Sequence, residues 1–134
     1  MAIAFGGLLT SGYSATGNMS SASVTPTAGN VTVIALYLRN NTATGITVSG
    51  CNLTWTKQTI TNYSGTEYYI FTGVGNSPSA GSITSSGGNG GSSALWVIQH
   101  FSGVDTTSPL VQSNYATATS SAPSVTLSSP ILSG

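Results

Sequence analysis

Apolar residues in this chain never recur with the 3.6-residue period of an amphipathic helix. They fall instead in short β-branched and aromatic runs, each closed by Gly, Asn, Ser or Pro. Such a pattern builds strands and turns, and the spacing of the runs suits a sandwich or barrel. Nine or ten strands are expected, over 2–9, 22–25, 31–38, 45–49, 53–60, 66–72, 80–85, 93–101, 110–117 and 124–128. The run 31–38 is apolar at both parities (Val31, Val33, Ala35 and Tyr37 against Ile34, Leu36 and Leu38), as in a central strand covered on both sides. In 53–60, Leu53 and Trp55 point inward and Thr54, Thr56 and Gln58 outward. The Gly/Ser stretch at 12–17 reads as a flexible connection, and the glycine-rich run at 87–91 as a loose loop tip. The fold class expected is all-β, a single antiparallel β-sandwich of jelly-roll or immunoglobulin-like form. It occupies 1–134 as one domain, with residues 1–20 read as an N-terminal arm.

Charge narrows the function. Of 134 residues only two are Lys or Arg and two Asp or Glu, 3% in all and net zero, where soluble domains average about a quarter. Two cations cannot supply the phosphate neutralisation on which nucleic-acid binding rests, nor a polybasic membrane contact. Low charge also removes the repulsion that keeps protein copies apart, which favours dense packing. Disorder is not the expected reading, since disordered chains pair low hydrophobicity with high net charge and here 39% of residues are hydrophobic. The N-terminal segment has no basic region and its apolar run is broken by glycines, so it does not read as a secretory signal. No run reaches the length of a transmembrane helix.

The inventory for chemistry is thin. His100, Asp105 and one of many serines could formally make a triad, but no Gly-x-Ser-x-Gly elbow accompanies them. Glu67 and Asp105 could face each other as a glycosidase pair only by coincidence of fold. The simpler reading puts Glu67 on solvent at a strand start and Asp105 as the cap of a turn. No Cys/His spacing fits zinc and no carboxylate cluster fits calcium. Cys51 is the sole cysteine and reads as a small buried hydrophobe. Trp55 and Trp96 read as core, while Tyr13, Tyr63 and Tyr115 lie in turn or edge contexts suited to contacts. No catalytic, metal or cofactor residue is expected, and an enzyme is the least favoured class.

Three short motifs carry a resemblance: Leu53-Thr54-Trp55, Tyr68-Tyr69-Ile70-Phe71, and Phe101-Ser102-Gly103-Val104-Asp105 with Pro109 shortly after. Over 22–127 the chain resembles β-sandwich modules of bacteriophage structural proteins, of the decoration and fibre kind, and of bacterial surface proteins. The resemblance implies a structural or adhesive role and no catalytic residues. Such modules usually continue past the position of Ser128, which implies an open sheet edge that residues 2–9 fill, in their own subunit or a neighbour. The expectation is therefore a virion structural protein, a capsid decoration or cement protein assembled in the host cytoplasm and held on the outer surface of the particle. Its expected partners are copies of itself, as a trimer for example, and a major capsid or other virion protein. Neither nucleic acid nor membrane is expected. Ile3, Phe5, Leu8, Leu9, Ile131 and Leu132 are the expected inter-subunit contacts. A glycan- or receptor-binding module of a tail fibre or adhesin is the alternative, and a pilus subunit a weaker third.

Overall fold

The computed structural model describes residues 2–40, 45–89, 92–109 and 124–126, and for 59–63 the backbone alone. Seven strands are present among them: β1 (Ala4–Ser14), β2 (Val31–Arg39), β3 (Thr47–Ser49), β4 (Thr54–Tyr63), β5 (Thr66–Val74), β6 (Thr84–Ser86) and β7 (Ser93–Ser102), with no helix among the described residues. They form an antiparallel five-stranded sheet in the order β1-β7-β2-β5-β4 and a second sheet of β3 and β6. The protein is an all-β sandwich of these two unequal layers.

Hydrophobic alternation decides which face of the large sheet is buried. Ile34, Leu36 and Leu38 of β2, Tyr69 and Phe71 of β5, and Ala94, Trp96 and Ile98 of β7 all point to the inner face. Met19, Val24, Ile46, Cys51 and Ile83 close over them from the second layer. Two tryptophans sit over glycines on neighbouring strands: Trp96 over its cross-strand partner Gly12, and Trp55 over its partner Gly73. A Cβ on Gly12 would lie 2.5 Å from the Trp96 ring and one on Gly73 2.6 Å from the Trp55 ring. The bare backbone is what lets each indole lie flat, as aromatics do when they cover strand glycines.

The stretches at 22–25 and 80–85 depart from the expected strands. Only the bridges Ser20 to Thr84 and Val24 to Gly81 are formed, and β6 is three residues long. Serine hydroxyls take over part of the ladder: Ile83 N–H donates to Ser21 Oγ at 2.9 Å, and Met19 N–H donates to Ser85 Oγ at 2.7 Å. Both serines are buried. Side-chain acceptors thus compete with regular pairing, as short hydroxyl residues do.

Three other expectations change. β1 runs through Gly12 to Ser14 and pairs with β7 of the same chain, so Ala4–Ser14 is an integral edge strand and 12–14 is not a flexible connection. The β4–β5 hairpin turns on two residues, Ser64 and Gly65, both at positive φ, as a primed turn requires. β2 lies at the centre of its sheet with its inner side fully buried, but its outer side is covered only in part: Val31 is buried, Val33 and Tyr37 are half-buried and Ala35 is exposed. Expected strand 110–117 lies outside the described residues, and 124–126 carries no strand.

Candidate interaction surface

The outer face of the five-stranded sheet is built by the same alternation that builds the core. Cross-strand registers place Tyr13, Leu95, Tyr37 and Tyr68 in one row over β1, β7, β2 and β5. The next row carries Ser11, Val97, Ala35 and Ile70, and the one beyond it Leu8, Gln99, Val33 and Thr72. Phe5 and Phe101 end the face, with ring centroids 5.6 Å apart. Tyr37 and Tyr68 meet edge to face at 5.0 Å. Along the tyrosine row lies an open trough of about 550 Å³, lined also by Ser11, Ala35, Ile70 and Val97. Arg39, at the end of β2, is the one charged residue that alternation assigns to this face among the described residues.

Two β-bulges aim β1 at this surface. Register shifts between Phe5 and Gly7 and between Leu8 and Thr10 each absorb an extra residue, so Phe5, Leu8, Ser11 and Tyr13 all face outward despite uneven spacing. Leu9 is displaced to the other side and packs against the core. Among the described residues it is the one expected contact whose side chain is half-buried in its own subunit. Ile3, Phe5 and Leu8 are exposed, whereas Ile131 and Leu132 lie outside the described residues. Tyr13 is exposed; Tyr115 and the Tyr63 side chain also fall outside the description. Tyr37, Tyr68, Leu95 and Val97 were missed by sequence reasoning. Their signal was the second apolar parity of the runs at 31–38, 66–72 and 93–101.

Glu67 corrects an expectation. It is 1% exposed and shares the inner face with Tyr69 and Phe71, so it does not face solvent. Tyr69 donates its hydroxyl proton to Glu67 Oε2 at 2.6 Å, and the Lys57 ammonium sits 5.8 Å from the Tyr69 ring centroid. A buried carboxylate requires such donors. Burial first, then the hydrogen bond and charge of Glu67, hold the Tyr69 hydroxyl above the ordinary phenol range. Burial also pushes the Cys51 thiol up, and Sγ donates to the Gly81 carbonyl at 3.3 Å. That is the inert environment of a structural cysteine.

Asp105 Oδ1 accepts from Thr107 N–H at 2.8 Å, capping its turn. His100 projects beside Gly6, and its buried Nδ1 has no hydrogen-bond partner among the described residues. Among the described residues no three His, Cys, Asp or Glu side chains come together as a metal site would need. A second depression of about 570 Å³ is lined by Asn52, Thr54, Asn76, Ser77, Thr106 and Thr107, with no aromatic ring. Among the described residues no helix is long and apolar enough to cross a membrane. No protein-family model, curated protein or solved structure matches this chain.

Proposed function

We propose that the protein is a non-enzymatic building block of a larger particle, a virion decoration or cement protein of a bacteriophage, acting through apolar contacts with copies of itself and with a major capsid or other virion protein. The observation that carries this reading is the outer face of the five-stranded sheet, where Phe5, Leu8, Tyr13, Tyr68, Leu95 and Val97 are all exposed together. Contiguous apolar surface on that scale marks an interaction site. With only four formally charged residues in the chain, long-range repulsion does not oppose close packing of many copies. Decoration repeats one modest interface over a lattice, and total binding grows with the number of copies engaged. Immunogold labelling tests the reading, with an antibody against the recombinant chain and purified particles whose genome encodes it. Label on the outer surface of the particles is expected; particles free of both label and chain would overturn it.

A second reading is supported by the row of Tyr13, Tyr37 and Tyr68, which places three rings on one accessible surface. Aromatic rings with a polar tip are suited to stacking on sugars while bonding their hydroxyls. In that case the chain is a glycan-binding module of a tail fibre or surface adhesin. A glycan array showing binding that Tyr68→Ala abolishes would select it; no binding on the array would leave the structural reading in place.

A further inference from the structure

We infer that the outer face of the five-stranded sheet is a self-association surface, and that its occupant is the same face of a second copy of this chain, related by a two-fold axis near Ala35. The inference rests on the structural reading above and names its first partner.

Two routes to self-association are open to a sandwich: pairing along strand edges and stacking on a sheet face. No described strand pairs with the outer edge of β1 or of β4. Both edges are nevertheless blunted. β1 carries two bulges and Gly7 at positive φ, and β4 carries a bulge between Lys57 and Thr59 together with the exposed, charged Lys57. Bulges and edge lysines are devices that discourage edge pairing. The face has no such guard. The row Tyr13, Leu95, Tyr37 and Tyr68 is apolar over four strands, the next is broken only by Ser11, and Arg39, the one charge on the face among the described residues, stands at one end.

Area agrees with a dimer. Phe5 is 59% exposed, Leu8 57%, Tyr13 63%, Tyr68 47%, Leu95 46% and Val97 37%. With about 100 Å² from each half-exposed aromatic and less from each aliphatic side chain, the apolar patch comes to roughly 500–600 Å². A sheet five strands wide and ten residues long offers roughly 600–700 Å² in plan, at about 4.8 Å between strands and 3.3 Å per residue. A standard stable interface uses about 600–1,000 Å² from each partner, so the whole face, patch and polar rim together, matches the lower end of that range.

Self-complementarity follows from the shape and the charge. A two-fold axis lying in the interface, across the strands near Ala35, would set the Tyr13–Leu95–Tyr37–Tyr68 wall of each copy against the Leu8–Gln99–Val33–Thr72 row of the other, at the separation of about 10 Å usual for stacked sheets. The same axis sends the two Arg39 residues to opposite ends of the interface, so identical faces meet without like charges opposed. The contact is isologous and closes after two copies. It leaves the edges and the thin second layer free for a lattice.

Light scattering behind a sizing column, on the full chain over a hundredfold concentration range, tests this. The expected mass is about twice the 13.4 kDa of one chain, falling twofold on dilution or in the L95K/V97K variant. Circular dichroism of that variant is expected to match the parent. Should that variant misfold, Tyr68→Ser provides a milder break, and the parent's own dilution series stands alone. A monomeric mass throughout overturns the inference. If the monomer also shields Tyr13 and Tyr68 from solvent radicals, the occupant is residues 110–134 of the same chain. A dimer indifferent to L95K/V97K and Tyr68→Ser places the contact elsewhere and overturns it as well. A monomer that still decorates particles removes the dimer and spares the proposed function, whereas a dimer absent from particles does the reverse.

Discussion

Ile98 and Val97 are neighbours on β7 that face opposite sides of one sheet, and truncating each to Ala separates the core from the open face. Ile98 is fully buried, and Ile98→Ala removes three carbons from the inner layer. At about 0.8 kcal/mol per methylene the transfer loss is about 2.4 kcal/mol. The unfilled cavity raises the total to about 3–4 kcal/mol, within the range for buried Ile→Ala changes. Val97→Ala removes two carbons from a side chain already 37% exposed and leaves no closed cavity, so its cost to the monomer is about 1 kcal/mol or less. Urea unfolding followed by Trp fluorescence, at protein concentrations low enough to keep the chain monomeric, reads the difference. With a slope of about 2 kcal/mol per molar urea, the Ile98 variant shifts its midpoint down by roughly 1.5–2 M and the Val97 variant by under about 0.5 M. Equal shifts would refute the reasoning, because they would mean that the outer face is packed as tightly in the monomer as the inner one.

Tyr69→Phe removes a hydrogen-bond donor from the buried Glu67 carboxylate, and a loss of about 1.5–3 kcal/mol is expected in the same unfolding assay. Because the folded state holds Tyr69 neutral, its contribution is whole below about pH 10, the ordinary phenol value, and is lost as pH rises through the higher folded value. The parent should therefore lose stability in that alkaline window more steeply than Tyr69→Phe, as followed by thermal melts. Gly12→Val places a side chain into the Trp96 ring and is expected to cost about 1–3 kcal/mol, while Gly29→Ala, with open space around it but φ of 76°, should cost about 1 kcal/mol; melting temperatures check the order. Deleting residues 1–10 removes more than half of β1 and uncovers the β7 edge, so a lower melting temperature is expected, and an unchanged one would mean that the β1–β7 pairing contributes nothing to stability.

Alternation made much of this architecture legible. Trp55 and Trp96 facing the core, β2 at the centre of its sheet, and Asp105 capping its turn all follow from local pattern and turn chemistry. The failures share a cause in information that local pattern does not carry. Glu67 looked solvent-facing as an isolated acid, yet its parity with Tyr69 and Phe71 puts it inside, where a tyrosine hydroxyl meets it. The inward turn of Leu9 comes from a bulge, which depends on the partner strand. The pairing of β1 with β7 joins segments some ninety residues apart, and no composition rule specifies such a neighbour. Serine-for-backbone substitution at Ser21 and Ser85 likewise depends on two segments meeting. The outer face was the largest omission: two-sided apolarity of 31–38 was read as burial on both sides, whereas on the outer side only Val31 is buried, Val33 and Tyr37 are half-buried and Ala35 is exposed.

Concentration-dependent hydroxyl-radical footprinting, read by mass spectrometry, tests most directly whether the outer face of the five-stranded sheet is the surface through which copies of this chain associate. The account predicts that Tyr13, Tyr68 and Leu95 react readily in dilute protein and lose reactivity severalfold as concentration rises, while buried Tyr69 and Trp96 stay unreactive throughout. Outer-face residues whose reactivity does not change with concentration, or which are already protected in the most dilute sample, would contradict it.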